Sequence, residues 1–296
     1  MRGVKNPLKI VARKFVTFST RQRDRAVRRL PIPQSFWIKF DLLKTLVKRD
    51  LEAKYKGSIL GNFWAILNQL AQLLVYTYLF SIVLQIKLNF RGLPANDFTF
   101  GLWMFAGLIP WTAFVAGFTG ATTSVISQPN LIKKVVFPLG LLPLVPICTA
   151  LVESSFGIIL LITFVAFTAK LIHTSVLLFP IIWIPQLLLT AGLGYLVAGL
   201  TVFLRDIPQT ITVILNLWFY LTPIVYPSSL IPEGWRFLVF WLNPMTTIVE
   251  VYRDLVLVGR MHHWEELGVL WGVSMLTFAI GLFVYRRLRP AFADVV

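Results

Sequence analysis

Cysteine is almost missing from this chain of 296 residues, and the single Cys148 excludes an intrachain disulfide and a cysteine-based metal cluster. Cys148 reads as a core residue. Histidine is nearly as scarce. His173, His262 and His263 have no metal-ligand spacing on one helix, because side chains at i and i+1 diverge, and they read as loop residues. Acidic residues number 13 against 28 Lys and Arg. A membrane-embedded enzyme acting on a polyprenyl-linked substrate needs clustered acids or histidines near a membrane surface, and only Glu265 and Glu266 come close. No G-x-x-x-x-G-K-[ST] phosphate cradle occurs, so ATP hydrolysis through such a loop is excluded. The first residues also lack the apolar core of a secretory signal peptide, so the first apolar stretch is expected to serve as an uncleaved insertion signal.

What the chain has in excess is apolar length. Hydrophobic residues make up 57% and charged residues 14%, too apolar for a soluble domain of this size. Six stretches, Asn62 to Ile86, Phe98 to Thr119, Leu141 to Ala169, Ser175 to Leu204, Ile207 to Tyr226 and Leu267 to Tyr285, each approach the ~20 residues that a bilayer core demands of a helix. Sixteen Lys and Arg precede Ser58, and Lys133, Lys134, Arg205, Arg286, Arg287 and Arg289 bring the count on that side to 22. The alternate loops hold six: Lys87, Arg91, Lys170, Arg236, Arg253 and Arg260. Positive residues near helix ends resist translocation, so the split predicts six spans with both termini in the cytoplasm. The expected fold class is therefore all-α integral membrane, with six transmembrane helices.

The net charge of +15 does not call for nucleic acid. Basic residues ahead of the first span would lie against the anionic inner leaflet, gaining about 1 kcal/mol each. Residues 1–35 read as a basic cytoplasmic extension, its Arg21 to Arg29 run closed by Pro31 and Pro33. Over residues 36–57 the pattern turns helical. Phe36, Phe40, Leu43, Val47 and Leu51 form one apolar row at spacings of three and four, which predicts an amphipathic helix in the membrane interface. Ile38, Leu42 and Leu46 form a second row roughly opposite, which predicts a protein neighbour as well as lipid. Residues 58–290 then hold the spans, and residues 291–296 are a cytoplasmic tail.

Several short strings share an order with one family. Arg49-Asp50-Leu51, Tyr55-Lys56-Gly57-Ser58-Ile59-Leu60-Gly61, Trp64 and Asn68 open the first span. Ala106-Gly107-Leu108-Ile109-Pro110-Trp111 lies in the second, and Asn130-Leu131-Ile132-Lys133-Lys134-Val135-Val136-Phe137-Pro138 in the loop after it. Arg205-Asp206-Ile207, Leu221-Thr222-Pro223-Ile224-Val225-Tyr226-Pro227, Leu242-Asn243-Pro244-Met245 and Arg253 follow. Together they resemble ABC-transporter permeases of the polysaccharide exporter type, closest to those that export O-antigen or teichoic acid. Two departures stand out: Gln69 where such permeases usually have proline, and Leu139-Gly140 where a charged residue usually follows Phe137-Pro138.

The resemblance implies the transmembrane subunit of an ATP-driven exporter in the bacterial cytoplasmic membrane, working as a homodimer with a separate ABC ATPase dimer that holds the ATP and Mg. The chain itself would carry no cofactor and bind no metal or nucleic acid. Its partners would be a second copy of itself, the ATPase, membrane lipids and a lipid-linked polysaccharide. Coupling to the ATPase falls to Asn130, Leu131, Lys133 and Lys134, and Pro129 suits the first turn of a short helix carrying the lysines. By the resemblance the first and fifth spans line the path, where Phe63, Tyr76, Tyr78, Phe80, Trp218, Phe219 and Tyr220 offer faces for sugar rings or else mark interfacial belts. The outer loop between Tyr226 and Leu267 holds two apolar pieces, Trp235 to Leu242 and Met245 to Val258. They are too short to span and read as re-entrant or interfacial helices, by resemblance an outer gate around Asn243, Pro244, Glu250 and Arg253. Glu250 and Arg253, at i and i+3, can pair across the surface or in gating.

Glu153 is an acid within a predicted span, a costly placement that marks either function or a hydrogen-bonded structural carboxyl. Lys54, Lys56 and Arg205 are suited to the diphosphate of a lipid-linked substrate at the inner leaflet, while Arg205 with Asp206 also reads as a local ion pair. An exporter of small hydrophobic drugs or glycolipids is the alternative, since an aromatic lumen serves both.

Overall fold

The computed structural model describes residues 34–61, 63–85, 99–133, 137–169 and 173–295. Among them there is no strand. In chain order the helices are α1 (Gln34–Lys54), α2 (Phe63–Tyr76, widening into a π-helical segment Thr77–Val83), α3 (Thr99–Thr123), α4 (Pro129–Lys133) and α5 (Leu144–Ala169). They continue with α6 (Phe179–Thr201), α7 (Ile207–Leu221), α8 (Glu233–Phe237, running on as Leu238–Leu242), α9 (Pro244–Arg253, running on as Asp254–Val258), α10 (Trp264–Leu288) and α11 (Phe292–Val295). Short 3-10 turns at Leu139–Leu141 and Thr174–Leu178 lead into α5 and α6.

Among the described residues, five helical runs are long and apolar enough to cross a bilayer: Phe63–Val83, Thr99–Thr123, Leu139–Thr168, Thr174–Thr201 and Trp264–Val295. The chain is an integral membrane protein. The predicted stretch Ile207 to Tyr226 differs, since only its 15 residues Ile207–Leu221 are helical. At 1.5 Å per residue that is about 22 Å, against a hydrocarbon core of ~30 Å. The cause is local: Thr222 has extended backbone, ψ 133°, because the ring of Pro223 disfavours a helical residue before it.

Two compact units divide the chain, Met1–Thr45 and Leu46–Val296, with the boundary inside α1. In the first, Phe36, Trp37 and Phe40 make an aromatic cluster with ring centroids 5.9 to 6.5 Å apart. Phe36, Ile38 and Phe40 are exposed. In the second, Leu46 and Val47 are buried, one from each apolar row of the helix.

The second unit is built around α3, which packs on α2, α5, α6, α7 and α9 and is buried along most of its length. α6 and α10 form the closest helix pair. Gly192 and Gly281 face each other there: a Cβ at 192 would lie 2.6 Å from the Phe278 nitrogen, and one at 281 would overlap the Gly192 carbonyl. This contact is backbone on backbone, the small-residue packing that membrane helices use when lipid offers no hydrophobic drive. It is expected that Gly281→Ala lowers stability by ~1–3 kcal/mol through overpacking, read as a lower unfolding midpoint in detergent; an unchanged midpoint would show that the two helices can separate freely.

Candidate functional site

The densest polar structure lies where α7 ends. A helix leaves its last four carbonyls without intrahelical donors, and here each has found one. The Trp218 carbonyl accepts from the Thr222 N–H and hydroxyl, at 3.1 and 3.0 Å, and the Phe219 carbonyl shares the Thr222 N–H at 3.3 Å. Tyr226 donates its hydroxyl to the Tyr220 carbonyl at 3.1 Å, and Asn243 Nδ2 donates to the Leu221 carbonyl at 3.4 Å. The Thr222 carbonyl takes the Ile224 N–H at 2.7 Å, and those of Pro223 and Ile224 accept from Arg253 Nη1 and Nη2 at 2.8 and 2.9 Å.

Arg253 is 2% exposed and does more than that. Its Nη1 also reaches Glu250 Oε1 at 3.1 Å, its Nε donates to the Trp103 carbonyl at 3.4 Å, and its guanidinium lies 3.5 Å over the Trp103 ring. Gly107 makes room, since a Cβ there would come 2.8 Å from Nη2. The i, i+3 pair read from the sequence is thus formed, but in the interior, with Glu250 itself only 8% exposed. α9 is buried from Met245 to Arg253, a helix apolar or neutralised on every side. Asn243 caps it by accepting from the Met245 N–H at 3.1 Å, with Pro244 in the first turn. The same Asn243 takes the indole N–H of Trp218 at 2.9 Å and donates to the Thr222 hydroxyl at 2.9 Å.

The next acid is Asp254. Its carboxylate accepts the His262 N–H at 2.7 Å and lies 2.9 Å from His263 Nδ1. The His263 ring stacks on Phe240 at 6.2 Å, so two of the three histidines tie the turn around Gly259 (φ +75°) to the end of α9. Burial alone raises the Asp254 carboxyl, yet the hydrogen bonds from His263 and the His262 N–H, with both imidazole charges, bring it below its ordinary value. Burial alone lowers the His263 imidazole, yet Asp254, with the charges of Glu250 and Glu266, raises it above its ordinary value.

The aromatic residues separate into two sets. Trp218 and Phe219 are half-buried, packing on Trp111 at 6.3 and 5.7 Å, and Trp218 also meets Phe114 at 5.3 Å. Tyr76 and Phe80 meet as tilted rings at 6.3 Å, and Phe80 continues onto Phe100 at 5.1 Å. Phe63, Tyr78 and Tyr220 stay exposed.

At the other end of the bundle, Lys54 Nζ lies 2.9 Å from Glu153 Oε2, and the Tyr55 hydroxyl donates to Glu153 Oε1 at 3.3 Å. Glu153 therefore has partners on α1 and the turn after it, and stands in the first half of the long α5. Lys56 and Arg205 are exposed, and no ion pair joins Arg205 to Asp206. Asn130 and Lys133 are exposed on α4, while Leu131 and Ile132 hold that helix to a second core cluster; Lys134 lies outside the described residues. The strand of chain that follows is pinned by two phenols. Tyr195 donates to the Gly140 carbonyl at 2.7 Å and Tyr285 to the Leu139 carbonyl at 2.9 Å. Sequence reasoning passed over Trp103, Tyr195 and Tyr285, whose type alone carries no signal of a distant partner. Among the described residues no group of His, Cys, Asp or Glu is arranged to hold a metal.

The family model of ABC-2 type transporters matches residues 41–257. The chain is similar to an O-antigen export system permease protein RfbA of Myxococcus xanthus, 32% identical over 256 residues, covering 86% of this chain and 95% of that protein. A permease of the same description from Klebsiella pneumoniae is 28% identical over 258 residues, covering 87% and 95%. The polysialic acid transport protein KpsM of Escherichia coli is 25% identical over 256 residues, covering 84% and 94%.

Removing the guanidinium strands Glu250 and the Pro223 and Ile224 carbonyls in the interior. It is expected that Arg253→Met destabilises the protein by ~3–5 kcal/mol, measured by thermal unfolding in detergent; a shift under ~1 kcal/mol would mean that water replaces the cation. The His263 contribution has a defined sign. An elevated imidazole stabilises fully below its ordinary pKa near 6.5 and loses that contribution as pH rises through the folded value, while the depressed Asp254 carboxyl fails only in strong acid. The gap in unfolding midpoint between the native chain and His263→Gln should shrink as pH is raised from 5.5 to 9. A gap that stays constant would show that the imidazole does not titrate against Asp254.

Proposed function

This chain belongs to the ABC-2 type transporter family, and from that premise we propose that it is the transmembrane subunit of an ATP-driven exporter moving a lipid-linked polysaccharide of the O-antigen type out of the cytoplasm. The observation that carries this is the match to O-antigen export permeases, which runs over 86% of the chain and 95% of the relative. In the proposed topology the five long helices are joined by a sixth crossing, α7 completed by the extended residues after Leu221. Both termini face the cytoplasm of a bacterial inner membrane, as the loop charges require. α8 and α9 dip back from the outer side as the gate.

The conduit is proposed to lie between two copies of the chain, faced by α2 and α7. Their outward rows support this: Leu74, Val75, Tyr78 and Ile82 on α2, and Val213, Ile214, Leu217 and Tyr220 on α7, are all exposed within the chain. Within one copy the described helices pack around the buried α3, which favours a path between copies. Exposed tyrosines would meet sugar rings by stacking, tolerant of composition. A separate ATPase dimer is proposed to dock on α4, where Asn130 and Lys133 stand free on a helix fastened by Leu131. Lys56 and Arg205 are the cations open to a lipid diphosphate, Lys54 being shared with Glu153.

Deletion of the gene should leave lipid-linked polymer on the cytoplasmic side, seen by labelling intact and permeabilised cells. Unchanged surface polymer, in cells with no second exporter, would sink the polymer reading in favour of a small-molecule exporter. The double variant Tyr78→Ala and Tyr220→Ala is expected to cut surface polymer at least about threefold, on the ~1–3 kcal/mol scale of lost stacking, at unchanged protein level. Full export by that variant would remove the aromatic track.

A further inference from the structure

A cavity of about 600 Å³ opens between the second half of α1, the end of α3 and the start of α5. None of the roles described so far uses it. Its volume lies within the ~300–1,000 Å³ range of small-molecule sites. Its polar wall carries Arg49, Asp50 and Lys54 from α1, facing Ser124, Ser127 and Gln128 beyond the end of α3. Its apolar wall is Leu46, Leu142 and Val145, with the small Ala116 and Gly120 leaving the space.

Only one of the charges inside is cancelled by pairing. Lys54 is neutralised by Glu153 at 2.9 Å. Arg49 and Asp50 are neighbours in sequence, so they diverge on the helix and form no ion pair with each other or with another described residue. What the cavity presents is one open guanidinium and one open carboxylate at separate points of its polar wall, above an apolar floor. Ser124 and Ser127 donate their hydroxyls to the Ala121 and Ser124 carbonyls at 2.7 and 3.3 Å, which leaves their oxygens as acceptors.

We propose that this cavity binds the headgroup of a zwitterionic membrane phospholipid carrying a primary ammonium, phosphatidylethanolamine in chemical class. The guanidinium takes the phosphate in a bidentate grip. Asp50 and the serine oxygens take the ammonium, and the glycerol end rests on Leu46, Leu142 and Val145. The depth follows from the interfacial placement that the apolar rows of α1 predict. A purely anionic lipid would satisfy Arg49 and be repelled by Asp50, and a choline headgroup offers no N–H to donate. The site is independent of what the transporter carries, so its failure would leave the export reading standing.

The test is native mass spectrometry of the full chain in mild detergent, titrated separately with dioleoyl phosphatidylethanolamine, phosphatidylglycerol and phosphatidylcholine. The ethanolamine lipid is expected to be retained at least fivefold over the choline lipid. Arg49→Gln should lower its retention at least fivefold. Asp50→Asn should abolish its advantage over phosphatidylglycerol, a reversal that simple misfolding would not give. Ala116→Phe, at an exposed position, should fill the cavity and lower retention with the charges intact. Lys48→Ala, whose side chain pairs with Glu52 outside the cavity, should change nothing. Equal retention of the three lipids, or a loss in Lys48→Ala equal to that in Arg49→Gln, would overturn the proposal. Displacement of the lipid by millimolar O-phosphoethanolamine would overturn it in favour of a soluble phosphate ester. Expulsion of the lipid when the ATPase subunit is bound would assign the cavity to that protein instead.

Discussion

A polypeptide that stops being helical inside an apolar bundle must find a donor for every carbonyl it exposes, and in this protein the buried guanidinium of Arg253 meets that demand. It uses four of its five N–H donors, on Pro223, Ile224, Trp103 and Glu250, and lies 3.5 Å over the Trp103 ring. One side chain thereby joins α9, the end of α7 and the start of α3. A lysine has neither the fork nor the flat face to do this. Asn243 repeats the logic a few residues away, capping α9 while holding Trp218, Thr222 and the Leu221 carbonyl. With these two residues in place, α7 can end early and the outer loop can fold into the bundle.

At the opposite end the constraint is of another kind. The α6–α10 pair meets backbone to backbone at Gly192 and Gly281 and carries Tyr195 and Tyr285, whose hydroxyls hold the turn at Leu139 and Gly140. Phe292 is fully buried beneath the same region, against Tyr285 at 5.4 Å. The short helix α4 is therefore presented on a rigid base, with its polar side chains outward. Lys54, Tyr55 and Glu153 fasten α1 to α5 in the same way. Under the proposed topology, a cytoplasmic end fastened by hydrogen bonds and an outer loop latched by one cation would suit a subunit that passes motion from a partner at one face to a gate at the other.

Much of this was legible in the residues. The apolar stretches gave the class and the places of the five long helices, and the sidedness of Lys and Arg gave an expected orientation, because bilayer thickness and loop charge act on composition alone. The i, i+3 spacing of Glu250 and Arg253 announced their pair, and Pro129 marked the start of α4. The second apolar row of α1 predicted a protein neighbour; Leu46 is buried, but Ile38 of that row is exposed and Val47 of the other row is buried as well. Not legible was the depth of Arg253: a surface pair and a buried latch have the same spacing. Trp218 and Phe219 could be assigned to a path or to the core only by seeing Trp111 and Phe114 beside them. The pairing of Lys54 with Glu153 joins residues 99 positions apart, a separation across which no local pattern reports.

The sequence by itself determined the solvent, the helical class and the family, since each depends on hydrophobic length, charge placement or ordered short motifs, all of them local to the chain. Only the tertiary structure decided which carbonyls of the broken α7 are met by Arg253, which aromatics remain exposed, and that Arg49 and Asp50 share an open cavity. Those are questions of which distant groups meet, and they are settled by the packing of helices around α3, whose directions no single segment encodes.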